Sequence, residues 1–580
     1  MKLNKIIAMT LLAATTFAVT SCKDDDDNNT ASRLFRPIAS VSATGNDLLV
    51  TWKSITGTSE YVLELYSVTS TDENGNPNYT QVQEARTSST TYTFKSLAWD
   101  EKYMVKIKGI AGDKSSMYYQ TSDVSITYPS ILSNVKTIDA AARLTWDATS
   151  NDTIKCILVF EDGVADAVQT IKVSKTDYAA GQMDIYGLKN STSYVFKTYN
   201  STTTFNNDTY KGKMTATTKE PTDFDTKYGA GNYIDIRDWD EDEAKDTLKS
   251  ADFQAMLKEG ITVILRGEQD YKVNNTLTFD KSVTFVTGPT LGGNARFISS
   301  GGMTLVKGKD ANVAKLQFID IDFYSDKAIA DLPVETCTEK AFGGRQVFNE
   351  NGTNSTLDSI IFKNCLIEGY RAVVRAQNTN DAIHHVYFDG CTINGIGDQG
   401  IVTTSNKAAD FRSVTMKNCT VTNVVMACDL RATASAISFN IRNCTFCYAP
   451  IETKANANTP LLRFNGNSNE VTINIEKSLF GPSMMTKDCD GETVQTFKAG
   501  TNGSIFLNPQ DVTPNVSSAF RTNFDWTSIG EGEAAKTYGI SGIESLGMSE
   551  TDLWQDPAKG NFKIKATLAE DDLGAKKWWK

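Results

Sequence analysis

Apolar and polar residues alternate in short runs along most of the chain, and the pattern changes twice. From about Phe35 to Thr218, runs such as YVLELYSV from Tyr61 and KYMVKIKGI from Lys102 put an apolar residue at every second position. That is the period of a strand with one buried face. EDEAKDTLKSADFQAMLKEG, residues 241–260, has a helical period instead, with acidic residues in its first turn and Phe253, Met256 and Leu257 on one face. Strand-like runs resume with ITVILRG, SVTFVTG and LQFIDIDF, and then one phrase recurs. IIFKNCLIEGY from Ile360 returns as VYFDGCTINGI from Val386, VTMKNCTVTNV from Val414, FNIRNCTFCYA from Phe439 and, more weakly, INIEKSLFGP from Ile473.

The cysteines set the period. Cys365, Cys391, Cys419 and Cys444 are 26, 28 and 25 residues apart, and Ser478 holds the fifth place. A fixed period of this size in a strand-rich chain marks units that bury their apolar faces against one another. Each phrase is therefore expected to be one turn of a parallel β-helix, with Asn364, Gly390, Asn418 and Asn443 in a ladder at a bend. A second row supports this register. Phe348, Val374, Val402, Leu430 and Leu462 are expected to point inward, so Asn349, Arg375, Thr403, Arg431 and Arg463 point outward. These outward residues precede the next cysteine-like position by 16, 16, 16, 13 and 15 residues. A slip of one residue would bury three arginines.

Stacked coils lie about 4.8 Å apart, a little beyond the Cβ separation of a disulfide, so the cysteines are expected as an interior ladder of thiols. Zinc is a poor reading: CTFC at 444–447 has no second pair, and the two histidines, His384 and His385, are adjacent and expected on a turn. The chain of 580 residues is long enough for several domains, and its net charge of −12 argues against a nucleic-acid partner.

Four resemblances add to this reading. Trp52, Leu97 and Tyr103, and again Trp146, Leu188 and Tyr194, resemble the fibronectin type III pattern, which implies two such sandwiches at 36–129 and 130–219. They read most simply as spacers, with glycan or protein binding as the alternative. MKLNKIIAMTLLAATTFAVTSC reads as a secretory signal, and its ending resembles a bacterial lipobox, which implies a lipidated Cys22 after a signal at 1–22. KDDDDNNT, within the linker 23–35, resembles the acidic tag of surface-exposed outer-membrane lipoproteins; a solvated linker has the same composition. Finally, the helix, ITVILRGEQDYKV, the coil phrases and DPAKGNFKIKATLAEDDLGAKKW together resemble the pectate-lyase-like right-handed β-helix superfamily over 225–580. More narrowly they are similar to uncharacterised domains of surface lipoproteins encoded near polysaccharide-utilisation genes.

These resemblances imply an all-β chain, two fibronectin type III-like sandwiches followed by a right-handed parallel β-helix with an N-terminal capping helix. They also imply a protein facing the cell exterior on a lipid anchor, working on polysaccharide and beside other glycan-utilisation proteins. Arg375, Arg431 and Arg463, with Arg371 nearby, are spaced to meet carboxylates along a uronic-acid chain. Asn349, Thr403 and Tyr370 are further substrate-contact candidates, and Tyr387 and Tyr448 could stack on sugars. Cleavage by β-elimination needs the substrate carboxylate neutralised and a base at the α-carbon, for which Arg375 and Arg431 are the candidates. Asp429 and Asp398 are the nearest candidate calcium ligands, fewer than calcium usually takes. A hydrolase finds no paired carboxylates at useful spacing. Cleavage and binding alone both stay open, as does the bland alternative that the arginines decorate a solvated face and pair with Asp429, Asp398 or Glu368.

Overall fold

A computed structural model of the protein describes residues 34–579 except for short stretches, the longest being 327–335, 338–343, 453–458, 487–494, 500–504, 530–535 and 566–571. Cys22 and the acidic run after it lie outside the described residues. The chain is all-β, two fibronectin type III-like sandwiches followed by a parallel β-helix. By packing it separates into one unit of residues 1–135, 144–183 and 193–216 and another of 136–143, 184–192 and 217–580.

In the first sandwich the strands Ala39–Thr44, Asp47–Trp52 and Thr91–Phe94 face a sheet built on Glu60–Thr71 and Glu101–Ala111. Trp52, Leu97 and Tyr103 are buried between them, and the Tyr103 hydroxyl accepts a hydrogen bond from the Ala98 N–H at 3.0 Å. In the second, Trp146, Leu188 and Tyr194 are likewise buried, and the Trp146 indole donates to the Tyr178 carbonyl at 3.0 Å. These are the positions the repeated pattern singles out.

The helical period over 241–260 gives a short helix, Ala251–Met256, whose N-cap Ser250 accepts from the Phe253 N–H at 3.1 Å. Its backbone is already extended at Leu257. Phe253 and Leu257 are buried in the β-helix core, whereas Met256, expected beside them, is 41% exposed. Leu257 reaches the core from extended chain, not from a helical face that would have carried Met256 with it.

Ten parallel strands, from Tyr233–Asp235 to Asn515–Ser517, stack into one sheet of the β-helix. The recurring phrase begins on this sheet, turns a corner at the residue before the cysteine, and continues on a second sheet. Phe285, Phe318, Phe362 and Phe388 stand in register inside, with successive rings stacked at 5.7, 5.3 and 5.2 Å. Met416, Ile441 and Ile475 continue the column.

At the corner Asn364, Gly390, Asn418 and Asn443 all have left-handed backbone, with φ of 53°, 70°, 54° and 50°. Asparagine and glycine tolerate that region best. The Asn364 amide donates to Asp320 and that of Asn418 to Asp389, both at 3.1 Å, so these two side chains tie their coils to the preceding one. The thiols come next. Cys391, Cys419 and Cys444 are free, fully buried, and donate to carbonyls of the preceding coil at 3.3 to 3.5 Å. Burial pushes these three thiols well above the usual range.

On the second sheet Thr392, Thr420 and Thr445 align, and the last residues of the chain run across this row. Trp578 Nε1 donates to Thr420 at 2.8 Å, the Ala575 N–H donates to Thr445 at 2.9 Å, and Lys577 donates to Thr392. His384 and His385, expected on a turn, are within the strand Ala382–Asp389 instead. There His384 lies between Asp358 at 3.3 Å and Asp410 at 3.1 Å, and His385 Nδ1 is 2.8 Å from Ser413 Oγ.

Two predictions follow from the corner. An alkylating reagent applied to native protein should leave Cys365, Cys391, Cys419 and Cys444 unmodified, and label them once urea unfolds the β-helix, as read by peptide mass spectrometry. A Cβ at Gly390 would sit 2.4 Å from Asn364 Oδ1, whereas one at Gly260, also left-handed, meets nothing within 4 Å. Gly390→Ala should therefore destabilise the β-helix by about 1 kcal/mol more than Gly260→Ala in urea unfolding, the worth of one displaced hydrogen bond. Equal losses would mean that the corner ladder contributes nothing.

Candidate functional site

The strands Leu366–Ala376 and Thr392–Thr403 are long enough to turn a second corner, and their last residues pair on a further face of the coil. Gln346–Glu350 stacks on one side of them, and Cys428–Asp429, Pro460–Arg463 and Ile505–Asn508 on the other. Phe348, Val374, Val402, Cys428 and Leu462 fill the interior, each fully buried. The residues after them form the outward row Asn349, Arg375, Thr403, Asp429, Arg463, with Asn508 next in register.

One position differs from expectation. Cys428 and Asp429, not Leu430 and Arg431, align with Val402 and Thr403. Asp429 precedes Cys444 by 15 residues, close to the spacing of the other coils, whereas the 13 of Arg431 was the outlier. Arg431 falls just beyond the strand and folds back, donating from Nε and Nη2 to the two Asp429 oxygens, each at 2.8 Å. The candidate base or clamp is thus occupied by its own neighbour.

Two further candidates are covered. Tyr370 shares the inward set with Ala372 and Val374, is fully buried, and bonds Ser299 Oγ at 2.8 Å through its hydroxyl. Burial pushes its phenol far above the usual range. It cannot stack on a sugar, and simple alternation from Arg371 and Arg375 would have shown this. Thr403 does point outward, but it is 1% exposed and its hydroxyl accepts from the Ser405 N–H at 2.9 Å. Tyr448 is buried, and the half-exposed Tyr387 belongs to the first sheet.

The face is also narrower than an open groove. Val347, Val373, Ile401, Ala427 and Leu461, two residues before the row, are buried in the same core as Phe348, Val374, Val402, Cys428 and Leu462. The accessible part is the polar row and the side chains beside it.

Charge there is unevenly paired. Arg371 grips Asp398 through Nε at 2.7 Å and Nη2 at 2.9 Å, as Arg431 grips Asp429. The hydrogen bonds to these aspartates raise both guanidinium pKa values. Arg463 reaches Asp429 only at 3.8 Å, and Arg375 donates to Ser405 Oγ at 2.8 Å without a carboxylate partner among the described residues. Burial lowers the pKa of both, helped by Arg371 beside Arg375 and by Arg431 beside Arg463, and opposed by Asp398 and Asp429 respectively. Four arginines face two aspartates, so the surface keeps an excess of two positive charges, located at Arg375 and Arg463.

Calcium does not fit these residues. Asp398 and Asp429 each give both oxygens to a guanidinium, and no group of three potential metal ligands occurs among the described residues.

No family model and no curated protein matches the chain. Among solved structures it is similar to a two-domain fibronectin type III segment of chicken tenascin, with 14% identity over 31% of this chain and 97% of that one and a TM-score of 0.15. It is also similar to the FN1–FN3 domains of chicken CNTN1, with 15% identity over 32% of this chain and 66% of that one and a TM-score of 0.13. Likeness at this level says nothing about what the chain binds.

The two aspartates should differ when neutralised. Asp429 is 8% exposed and serves two arginines, so Asp429→Asn is expected to cost about 2 kcal/mol in urea unfolding of the β-helix, by leaving partly buried cations unpaired. Asp398 is 34% exposed, and Asp398→Asn should cost under about 1 kcal/mol.

Proposed function

We propose that the protein holds an extracellular acidic polysaccharide along the polar row of the β-helix. The observation that carries this reading is the pair Arg375 and Arg463, partly buried guanidiniums that no carboxylate among the described residues holds by a hydrogen bond, Asp429 reaching Arg463 only at 3.8 Å. They stand three coils apart, roughly 14 Å, with amide and hydroxyl groups of Asn349 and Ser405 beside them. Arginine suits carboxylate recognition because its planar fork matches the two oxygens. The reading extends to location: a lipidated Cys22 on the outer membrane, an acidic linker and two sandwiches would hold the β-helix outside the cell, beside other glycan-utilisation proteins. Support for this part is the N-terminal sequence.

A second reading, cleavage by β-elimination, rests on Arg375 alone. Burial shifts its pKa in the direction a base needs, whereas Asp429 shifts that of Arg431 the opposite way. The paired aspartates favour binding over cleavage, because they leave no carboxylate free to act among the described residues of the row.

In affinity gels, polygalacturonate, alginate or a glycosaminoglycan should retard the protein while a neutral glucan does not, and added salt should weaken the effect. Arg375→Ala should weaken retention by about tenfold. Absorbance from an unsaturated uronide product would decide for cleavage. Unchanged migration with every acidic polymer would sink the proposal.

A further inference from the structure

The polar row does not end at Asn349. On the coils before it lies a cavity of about 440 Å³ whose walls include Asn275, Thr304, Lys307, Arg345, Asn349 and Asn351. Two glycines leave it open. A Cβ at Gly302 would come within 3.0 Å of Asn349 Cβ and 3.2 Å of the Gln346 carbonyl, and one at Gly301 within 3.0 Å of the Asn275 nitrogen. The cavity has no carboxylate among its described lining residues. Two acids lie near: Glu350, fully buried behind the wall, accepts from the Thr304 hydroxyl at 3.4 Å and the Leu305 N–H at 3.2 Å, and Asp326 reaches Arg345 only at 3.8 Å.

Its polar groups are incompletely used. Asn349 Nδ2 donates to Gln377 at 3.5 Å, but Asn349 Oδ1 is shielded from solvent without a hydrogen-bond partner among the described residues, and the shielded Arg345 Nε has only the Asp326 carboxylate at 3.8 Å, beyond hydrogen-bond reach. Lys307 is exposed and has no carboxylate partner among the described residues. A buried acceptor and a buried donor that both lack partners are costly unless something supplies the missing bonds. A sugar hydroxyl would satisfy the asparagine oxygen. An anionic oxygen would satisfy the arginine and lysine together.

We propose that this cavity is a subsite for one carboxylate-bearing sugar, a hexuronate, with its carboxylate between Lys307 and Arg345 and its hydroxyls on the asparagine amides. The proposal rests on the reading of the row as a polysaccharide-binding surface and deepens it by naming the sugar class. The same chemistry has two sources, the end unit of a polymer lying on the row or a free monosaccharide.

The test is calorimetric titration of the chain beginning at Lys23, with galacturonate, glucuronate, the matching tetrauronides and glucose as probes. A hexuronate should bind and glucose should not, and Lys307→Ala should weaken hexuronate binding by at least about tenfold. Lys307 is exposed, so this variant folds. Asn349→Asp, which places a negative charge at the wall, should abolish binding altogether. If the tetrauronide binds more tightly than the monosaccharide and only its affinity falls in Arg375→Ala, the occupant is a polymer end. Equal affinities that ignore Arg375→Ala point to the free sugar in the same subsite. Polymer binding that depends on Arg375 but is indifferent to Lys307→Ala and Asn349→Asp overturns the subsite and leaves the row intact. Failure of every uronide, polymer included, overturns both.

Discussion

The β-helix depends on one backbone requirement met again and again: a residue that accepts left-handed geometry at the same corner of each coil. Asn364, Gly390, Asn418 and Asn443 meet it, and Asp320 and Lys477 carry the same conformation before and after them. Because each corner turns alike, the strand before it stays in register with its neighbours and the phenylalanine column can stack at ring contact distance. The cysteines occupy the adjoining place because little room remains there, and their thiols find a carbonyl one coil away. Corner, ring stack and thiol ladder are therefore consequences of one geometry and not three separate features.

Much of this was legible from residue order, because a corner residue and a buried small side chain leave local marks at a fixed period. The inward column Phe348, Val374, Val402 was legible for the same reason. Failures came where a coil changed length. Between Thr403 and Cys444 two residues shift the strand, and only the odd spacing of 13 signalled that Asp429, not Arg431, belongs in the row. Tyr370 was readable too, since counting alternation from Arg375 turns it inward. The burial of Val373 and Ile401 beside Val374 and Val402 left a weaker mark, a strand apolar at consecutive positions, which a buried helix segment also shows.

Pairing between side chains was legible only in part: Asp429 and Asp398 stood out as arginine partners, but not which arginine each would hold. Arg371 and Asp398 are 27 residues apart, and the coil brings them together only through its register. Whether an arginine on this face is spent on a neighbour or left with its charge depends on such long-range geometry. Arg371 and Arg431 each hold a carboxylate through two hydrogen bonds, whereas Arg463 shares Asp429 only at 3.8 Å and Arg375 holds a hydroxyl. A row of like residues thereby becomes a pattern with two positive centres, and selectivity for a polymer would come from that pattern more than from the number of arginines.

The C-terminal residues that run across Thr392, Thr420 and Thr445 change how the stack is held in time. Coil-to-coil contacts join residues about two dozen apart, so each coil can settle as soon as its predecessor exists. The contacts made by Ala575, Trp578 and Lys577 join residues 130, 158 and 185 apart. They can form only when the coils they cross are already in place, because closing so long a loop is unfavourable until its landing site is built. The tail is thus a latch thrown last: it ties three coils side by side, and the stack beneath it cannot peel away coil by coil until the latch is released.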